Sequence, residues 1–374
     1  MIRLILVVLL LLLSLLTVFK APTNFLWYVS IIVTEFPWML ILVTLLLLGA
    51  GLKFNRYNRA INTTGIAALV LFTVPIAGAY KTAAGLHKDI NNSFSTKMAD
   101  EKQASPFGFW RMITGINATA IGYQVILYDS TKNLSLDFYP SQTKGARPCV
   151  VVVHGGSWSA GDSRQLPELN SELSKKGYHV ASVNYRLVPQ YTSPAPVEDL
   201  HAALIYLKTH ASELNIDTGN FILLGRSAGG QIVLVEAYTG NIAGLRGVIS
   251  FYGPTDMVWG YQHPSNPLVL NSCKIMEDYL GGTYSQVPHN YVNSSATVAV
   301  NNVSVPTLLI HGQNDPLVAF EHCNMLSKKL KENKVSFFVL NLPWATHGCD
   351  YTLNGPSGQL STYTVEQFLH LVTR

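Results

Sequence analysis

The chain has 374 residues, of which 48% are hydrophobic and 13% charged, and its net charge is +4. Soluble domains carry about 25% charged residues, so this composition excludes a disordered, collagen-like or acidic-tail protein and argues against an ordinary cytosolic enzyme. Residues 1–88 carry a net charge of +6 and the remainder −2. The positive charge therefore belongs to the apolar N-terminal part, and we expect no nucleic-acid partner.

Three apolar runs occupy residues 1–80, and we expect a transmembrane region with helices at about 2–19, 30–52 and 61–80. The first run has the position of a signal peptide, but its apolar core is long and no small-x-small cleavage site follows it. We therefore predict an uncleaved helix.

Glu35 lies within the second run and admits two interpretations. It is either an intramembrane ionisable group with a functional partner or an interfacial residue just before a helix that starts at Pro37. The neighbouring Trp27 and Trp38 resemble an interfacial belt, which favours the second interpretation.

The basic residues predict how the chain is oriented in the membrane. Lys53, Arg56 and Arg59 lie between the second and third runs without an acidic residue, so we expect this loop to be cytoplasmic. Lys81 and Lys88 follow the third run and oppose this orientation. On balance, the sequence places the rest of the chain on the periplasmic, luminal or extracellular side.

The four cysteines form no CxxC pair, so we expect no zinc or redox motif and no bound metal. In an exported domain, Cys149, Cys273, Cys323 and Cys349 would allow one or two disulfides, with three connectivities for two. Cys149 begins an apolar strand and is expected to be a buried core thiol.

Downstream of the apolar runs, residues 81–118 have little periodicity and predict a tether with one short helix near 107–112. From 119 to 374 the pattern alternates between strands and helices, which predicts an α/β fold: a mainly parallel sheet with helices on both faces. Residues 257–304 interrupt this rhythm, and we interpret them as a cap insertion.

A G-x-S-x-G motif surrounds Ser227, between a buried strand and a helix. This is the context of a nucleophile elbow, a sharp turn that exposes the serine hydroxyl. Gly225 and Gly229 would allow the close backbone packing that such a turn needs. We predict Ser227 as a nucleophile.

A glycine pair follows an earlier strand, in His154-Gly155-Gly156-Ser157-Trp158. Main-chain N–H groups of Gly155 and Gly156, with that of Ala228, are expected to form an oxyanion hole. We expect the His154 side chain to steady this loop.

Two further strand ends carry Asp315 and His347. His347 would accept the proton of the serine, and Asp315 would orient the imidazole. Asp256 and Asp350 are rival carboxylates, but the loop of Asp315 fits better. The chain order serine, aspartate, histidine is that of the α/β-hydrolase fold.

These motifs together, HGGSW, GRSAGG, HGQNDPLV and THG, resemble the α/β-hydrolase superfamily. More narrowly, the chain resembles the hormone-sensitive-lipase-like and prenylcysteine-methylesterase-like carboxylesterases over about residues 120–374. The resemblance implies structural roles for Tyr185, Arg186 and Asp199. Arg226 departs from the residues common before the nucleophile, and this leaves the substrate neighbourhood open.

The sequence thus predicts a membrane-anchored serine hydrolase that cleaves small-molecule or lipid carboxylic esters without a cofactor. An amidase or peptidase with the same triad is an alternative, because fold does not determine function. A non-catalytic adhesion or scaffold module, or a membrane subunit whose helices bind a partner, are further alternatives from other functional classes.

Overall fold

The computed structural model describes residues 1–50, 57–94, 105–115 and 120–373. The strands are β1 (Gln124–Asp129), β2 (Leu134–Tyr139), β3 (Arg147–Val153), β4 (His179–Val183), β5 (Ile216–Arg226), β6 (Leu245–Phe251), β7 (Thr307–Gly312) and β8 (Phe337–Leu342). The helices before β3 are α1 (Ile2–Ser14, extended by a 3-10 turn over Leu15–Thr17), α2 (Asn24–Glu35), α3 (Pro37–Gly49), α4 (Asn58–Phe72), α5 (Val74–Ser93) and α6 (Phe109–Thr114). The later helices are α7 (Pro167–Lys175), α8 (Ala195–Thr209), α9 (Ala211–Leu214), α10 (Ala228–Thr239), α11 (Met257–Gln262), α12 (Ser272–Leu280), α13 (Pro288–Asn293), α14 (Ala296–Ala299), α15 (Glu321–Glu332) and α16 (Pro356–Val372).

The strands form one sheet in the order β1-β2-β4-β3-β5-β6-β7-β8. β2 pairs antiparallel with β1 and β4, and all other neighbours are parallel. The predicted mainly parallel sheet is therefore confirmed. Parallel register brings the carboxyl ends of β3, β5, β7 and β8 to one edge, where ligand sites of such sheets lie.

Hydrophobic cores cover both faces of the sheet. Along β3, Val151 and Val153 contribute to one core, and Val150 and Val152 to the other, because successive strand residues point to opposite faces. Helices α8, α10 and α15 cover the first face, while α5, α7 and α16 cover the second. The continuous apolar run in β3 is thus explained by burial on both sides.

The N-terminal bundle consists of α1, α3 and α4, with α1 in contact with both others. At one end, Arg3 donates hydrogen bonds to the carbonyls of Leu47 (2.6 Å) and Leu48 (3.0 Å), which lack partners where α3 ends. At the other end, the Thr17 hydroxyl donates to the Leu71 carbonyl at 3.1 Å. Arg3 and Thr17 therefore mark opposite ends of the bundle.

The second apolar run differs from the single helix expected over 30–52. It contains α2 and α3, which meet at Phe36 at an angle of 84°. Pro37 starts α3, as expected, because it has no N–H to continue the preceding helix. By length and hydropathy, one helical segment in the described residues, Asn58–Ser93, could cross a membrane, and the bent pair could form a second span.

Residues 81–93, expected to belong to a tether, continue α5 and pack on α16. The predicted short helix near 107–112 is present as α6. Residues 257–304, which we interpret as a cap insertion and call the cap, contain α11 to α14 between β6 and β7. Of the basic loop used to predict orientation, Lys53 and Arg56 lie outside the described residues.

All four cysteines are free thiols. Cys149 is fully buried in β3, as predicted, and its burial raises the pKa of the thiol. Cys273 lies in the cap and Cys323 in α15, so the structure pairs none of them.

Candidate active site

Ser227 occupies the turn between β5 and α10 with φ +51° and ψ −118°. A non-glycine residue adopts this conformation only when the surrounding structure enforces it. A Cβ atom on Gly225 would lie 2.2 Å from the Gly229 carbonyl oxygen, and one on Gly229 would lie 2.3 Å from that of Val153. Glycine is therefore required at both positions, and the predicted strained elbow is present.

His347 and Asp315 meet Ser227 at the same edge of the sheet. The Nε2 atom of His347 is 3.0 Å from the Ser227 hydroxyl, and its Nδ1 atom is 2.7 Å from Oδ2 of Asp315. His347 follows β8, and Asp315 follows β7. The structure thus brings together the three residues that the sequence singled out.

Asp315 is held ionised by its surroundings. Burial opposes ionisation, but the electrostatic influence of the His347 imidazole and hydrogen bonds from His311 and His347 outweigh it, so the pKa of Asp315 lies below its usual range. Its other carboxylate oxygen accepts hydrogen bonds from the main-chain N–H groups of Leu317 (2.8 Å) and Val318 (2.9 Å). The carboxylate is therefore fixed in both charge and orientation.

The two rival carboxylates have other partners. Asp256 caps α11 by accepting a hydrogen bond from the N–H of Trp259 at 2.9 Å. Asp350 forms a buried ion pair with Arg226 and accepts a hydrogen bond from the Tyr252 hydroxyl.

The Arg226–Asp350–Tyr252 network contacts His347 through the Tyr252 ring. The ring of Tyr252 lies 4.4 Å from that of His347, centroid to centroid. Burial and the Asp350 charge raise the pKa of Tyr252 well above its ordinary value, so its hydroxyl remains a hydrogen-bond donor. The sequence showed Arg226 as unusual before the nucleophile but gave no sign of its partner 124 positions away.

The glycine loop differs in detail from the predicted oxyanion hole. The N–H of Gly155 donates to the side-chain oxygen of Gln165 at 2.7 Å, so it is already engaged. Gly156, Ser157 and Ala228 make no hydrogen bond through their main-chain N–H groups within the described part of the chain. Gly156 has φ +117°, and a Cβ there would lie 2.0 Å from the Ala160 carbonyl oxygen.

The His154 side chain steadies this loop, as expected. Its Nδ1 atom is 2.7 Å from the Gly155 carbonyl oxygen, and its ring stacks on Tyr185. The residues interpreted as structural by resemblance also form internal contacts: the Tyr185 hydroxyl donates to the His154 carbonyl, and Arg186 pairs with Asp199 at 2.8 Å.

A cavity of about 460 Å³ opens beside the Ser227 hydroxyl. Its volume falls in the range of small-molecule sites, which is about 300–1,000 Å³. The cap supplies apolar lining residues, among them Leu270, Ile275 and Met276. Lys20, Ala21 and Pro22, which join α1 to α2, supply another wall. Sequence reasoning missed this wall, since it treated the N-terminal part only as an anchor.

Helix α2 packs directly on the site. The indole N–H of Trp27 donates to the main-chain carbonyl of His347 at 3.0 Å. Glu35 is buried, and one of its carboxylate oxygens accepts hydrogen bonds from the N–H groups of Ser357 (3.1 Å) and Gly358 (3.3 Å). These donors belong to the first turn of α16, where N–H groups lack helical partners. Glu35 is thus a buried side chain whose partners are the first N–H groups of α16.

No group of three or more histidine, cysteine, aspartate or glutamate side chains in the described ranges is arranged to hold a metal ion. Outside the triad, His322 is buried, and its Nδ1 atom accepts a hydrogen bond from the Thr255 N–H. Burial lowers the pKa of His322 to about 3, so this imidazole is neutral.

The sequence model of the BD-FAE family matches residues 136–330, which include Ser227 and Asp315. The probable carboxylic ester hydrolase LipM of Mycobacterium tuberculosis is 25% identical over 384 residues, covering 92% of this chain and 85% of LipM. Esterase LipC of the same organism is 23% identical over 67% of this chain and 65% of its own length. Carboxylesterase NlhH is 35% identical over 29% of this chain and 35% of its own length.

Solved esterase structures share the fold. An esterase from Pyrobaculum calidifontis superposes with a TM-score of 0.58 at 21% identity, covering 67% of this chain and 86% of that one. Butyrate-bound Est2 from Thermogutta terrifontis superposes with a TM-score of 0.56 at 20% identity, covering 68% and 96%. The sheet and its helices are therefore those of an α/β-hydrolase.

Proposed function

Since the chain belongs to the BD-FAE family and is a carboxylesterase-type hydrolase, we propose that it cleaves carboxylic esters through an acyl-enzyme on Ser227. The observation that carries this proposal is the continuous hydrogen-bonded series from Asp315 through His347 to Ser227. A hydroxyl at 3.0 Å from an imidazole nitrogen can lose its proton as it attacks an acyl carbon.

In the first half of the proposed reaction, the Ser227 oxygen attacks the ester carbonyl and His347 takes the hydroxyl proton. His347 then gives that proton to the departing alcohol oxygen, which leaves an acyl group on Ser227. In the second half, His347 removes a proton from water, the hydroxide displaces the acyl group, and the proton returns to Ser227. The ionised Asp315 stabilises the imidazolium that forms in each half.

We place the oxyanion hole at the main-chain N–H groups of Gly156, Ser157 and Ala228. This revises the predicted set, because the Gly155 N–H is engaged by Gln165. Ser157 lines the cavity, and Ala228 begins α10, where the helix dipole favours negative charge. Each donor aimed at the developing oxyanion typically lowers the barrier by about 3–4 kcal/mol.

We also propose that the N-terminal bundle lies in a membrane, with the catalytic domain on the non-cytoplasmic side. Large apolar side chains are exposed on all three helices of the bundle: Ile5, Leu6, Leu9 and Leu12 on α1, Leu42, Val43, Leu45 and Leu46 on α3, and Ile66 and Val70 on α4. Monomeric soluble proteins rarely expose a continuous apolar surface of this kind. Arg3 and Arg59 support the orientation, since both lie at the end of the bundle away from Thr17, whereas Lys20 lies at the other end.

The test is hydrolysis of p-nitrophenyl butyrate by the full chain in detergent, with Ser227→Ala as the variant. We expect turnover to fall by about 10⁴-fold or more, because the nucleophile is lost. Ser285→Ala, which changes an exposed serine in the cap, is the matched control and should retain the wild-type rate. Equal turnover in wild type and Ser227→Ala would overturn the proposal. Faster cleavage of butyryl p-nitroanilide than of p-nitrophenyl butyrate would favour the amidase alternative.

A further inference from the structure

The turn between α1 and α2 is part of the cavity wall and is hydrogen-bonded to the cap. The main-chain N–H of Asn24 donates to the Leu268 carbonyl at 2.9 Å, and its side chain donates to the Val269 carbonyl at 3.1 Å. In return, the Asn266 side chain donates to the Pro22 carbonyl at 3.2 Å. The cavity beside Ser227 is therefore bounded jointly by the cap and by the end of the N-terminal bundle.

Three exposed apolar side chains surround this junction, and together we call them the rim: Phe19, Phe25 and Leu268, exposed by 63%, 73% and 70%. None of them is among the residues that line the cavity. Phe19 and Phe25 precede and follow the turn in the chain, and Leu268 lies in residues 257–304, where its carbonyl accepts the hydrogen bond from the Asn24 N–H. The rim thus offers apolar surface on both sides of the junction.

The rim is continuous with the exposed face of α2. Phe25, Tyr28 and Ile32 are all exposed and recur at the three- and four-residue spacing of one helix face. Two other side chains of α2, Trp27 and Glu35, contact the catalytic domain. Because α2 lies at 84° to α3, its exposed apolar face would lie along a membrane surface when the bundle spans the membrane.

Charge at the junction is also suited to a membrane surface. Lys20 is exposed beside the cavity, at the end of the bundle opposite Arg3. The one carboxylate that lines the cavity, among the described residues, is the buried Asp315 of the triad. Basic side chains near the end of a membrane helix commonly extend to the lipid head groups, and Lys20 lies in such a position next to the rim.

We propose that the substrate is an acyl ester of a membrane lipid, which passes from the bilayer over the rim to Ser227 without crossing water. This inference rests on the proposed ester hydrolysis at Ser227. Water would cleave the bond between the acyl carbon and the alcohol oxygen, and release a fatty acid and the lipid alcohol. The Lys20–Pro22 wall and the cap would enclose the acyl chain.

The first test needs no variant. In the first arrangement, the full chain is reconstituted into phosphatidylcholine vesicles that contain a fluorescent dioleoylglycerol. In the second, it is reconstituted into vesicles without this ester, which are then mixed with enzyme-free vesicles that contain it. Entry from the bilayer predicts hydrolysis only when enzyme and ester share a vesicle. Equal rates in the two arrangements, or butyrate turnover without any hydrolysis of the bilayer ester, would overturn the inference.

A second test uses the rim itself. Phe19→Asp combined with Phe25→Asp should lower hydrolysis of the bilayer ester by about tenfold, because carboxylates oppose contact with the apolar part of the membrane. Turnover of p-nitrophenyl butyrate should remain at the wild-type level, which also shows that the variant is folded. Val303→Asp, at an exposed apolar residue outside the rim, is the matched control and should change neither rate.

Equal loss on both substrates would contradict delivery through the rim, and so would no loss on either. Failure of the proposed function gives a different result, since Ser227→Ala would then retain butyrate turnover.

Discussion

The indole N–H of Trp27 donates a hydrogen bond to the main-chain carbonyl of His347, a residue 320 positions later in the chain. The two rings also approach edge to face, with centroids 6.1 Å apart. Tyr252 packs against His347 as well, at 4.4 Å. The loop of the proposed general base is therefore held by the N-terminal region as well as by the catalytic domain.

Replacing Trp27 by phenylalanine should lower kcat on soluble esters and leave KM unchanged. Phenylalanine keeps an aromatic ring against the loop but removes the donor. An intramolecular hydrogen bond contributes about 0.5–1.5 kcal/mol, which corresponds to about two- to twelvefold in rate. The measurement is steady-state kinetics with p-nitrophenyl butyrate, together with the rate of the first turnover.

The matched control for this prediction is Trp38→Phe. The Trp38 indole nitrogen is buried and has no hydrogen-bond partner among the described residues, so removing it breaks no contact of this kind. Its kcat should equal that of the wild type. A rise in KM with constant kcat in Trp27→Phe would assign Trp27 to substrate binding instead of to positioning of His347.

Asp315→Asn should lower kcat by about 10⁴-fold while leaving the fold intact. An amide in place of the carboxylate neither stabilises the imidazolium nor selects the tautomer whose Nε2 accepts the serine proton. Because the pKa of Asp315 lies below its usual range, the wild-type carboxylate is ionised throughout the pH range of an assay. The asparagine amide has no proton to lose in this range, so raising the pH should not supply the missing charge or restore kcat.

Asp256→Asn tests the rival carboxylate under the same conditions. An asparagine can still accept the hydrogen bond from Trp259 that caps α11. We expect kcat/KM to stay near the wild-type value. If Asp256→Asn were inactive and Asp315→Asn active, Asp256 and not Asp315 would be the carboxylate that acts with His347.

The sequence predicted the strands and the proximity of Ser227, Asp315 and His347, because both depend on local pattern. Apolar runs of strand length indicate the parallel sheet, and Ser227, Asp315 and His347 each follow such a run. Since parallel strands end at one edge, residues just after them must lie close together. Sequence position was therefore enough to predict proximity, although not hydrogen-bond partners.

Contacts between distant segments could not be predicted in this way. The Glu35 carboxylate meets the start of α16 over a separation of 322 residues, and no motif marks either partner. The side chain of Gln165 engages the Gly155 N–H from a loop without a recognisable pattern. The role of the α1–α2 turn in the cavity wall likewise depends on how the bundle packs on the catalytic domain.

The buried Arg226–Asp350 ion pair gives the last prediction. The two side chains are only 2% and 3% exposed, and the terminal nitrogens of Arg226 have no hydrogen-bond partner among the described residues. Removing one member of such a pair leaves an uncompensated buried charge, whereas replacing both by apolar residues is often neutral or stabilising. Asp350→Leu should therefore lower the free energy of unfolding by about 3–5 kcal/mol.

The double variant Arg226→Met with Asp350→Leu should recover most of that loss, measured by thermal unfolding in one detergent. Its esterase activity should still be reduced, because Tyr252 loses the acceptor that fixes its ring against His347. Recovery of stability without recovery of kcat would separate the two effects of the network. A double variant that remains as unstable as Asp350→Leu would mean that the pair itself stabilises the fold, and that its desolvation is more than offset by attraction.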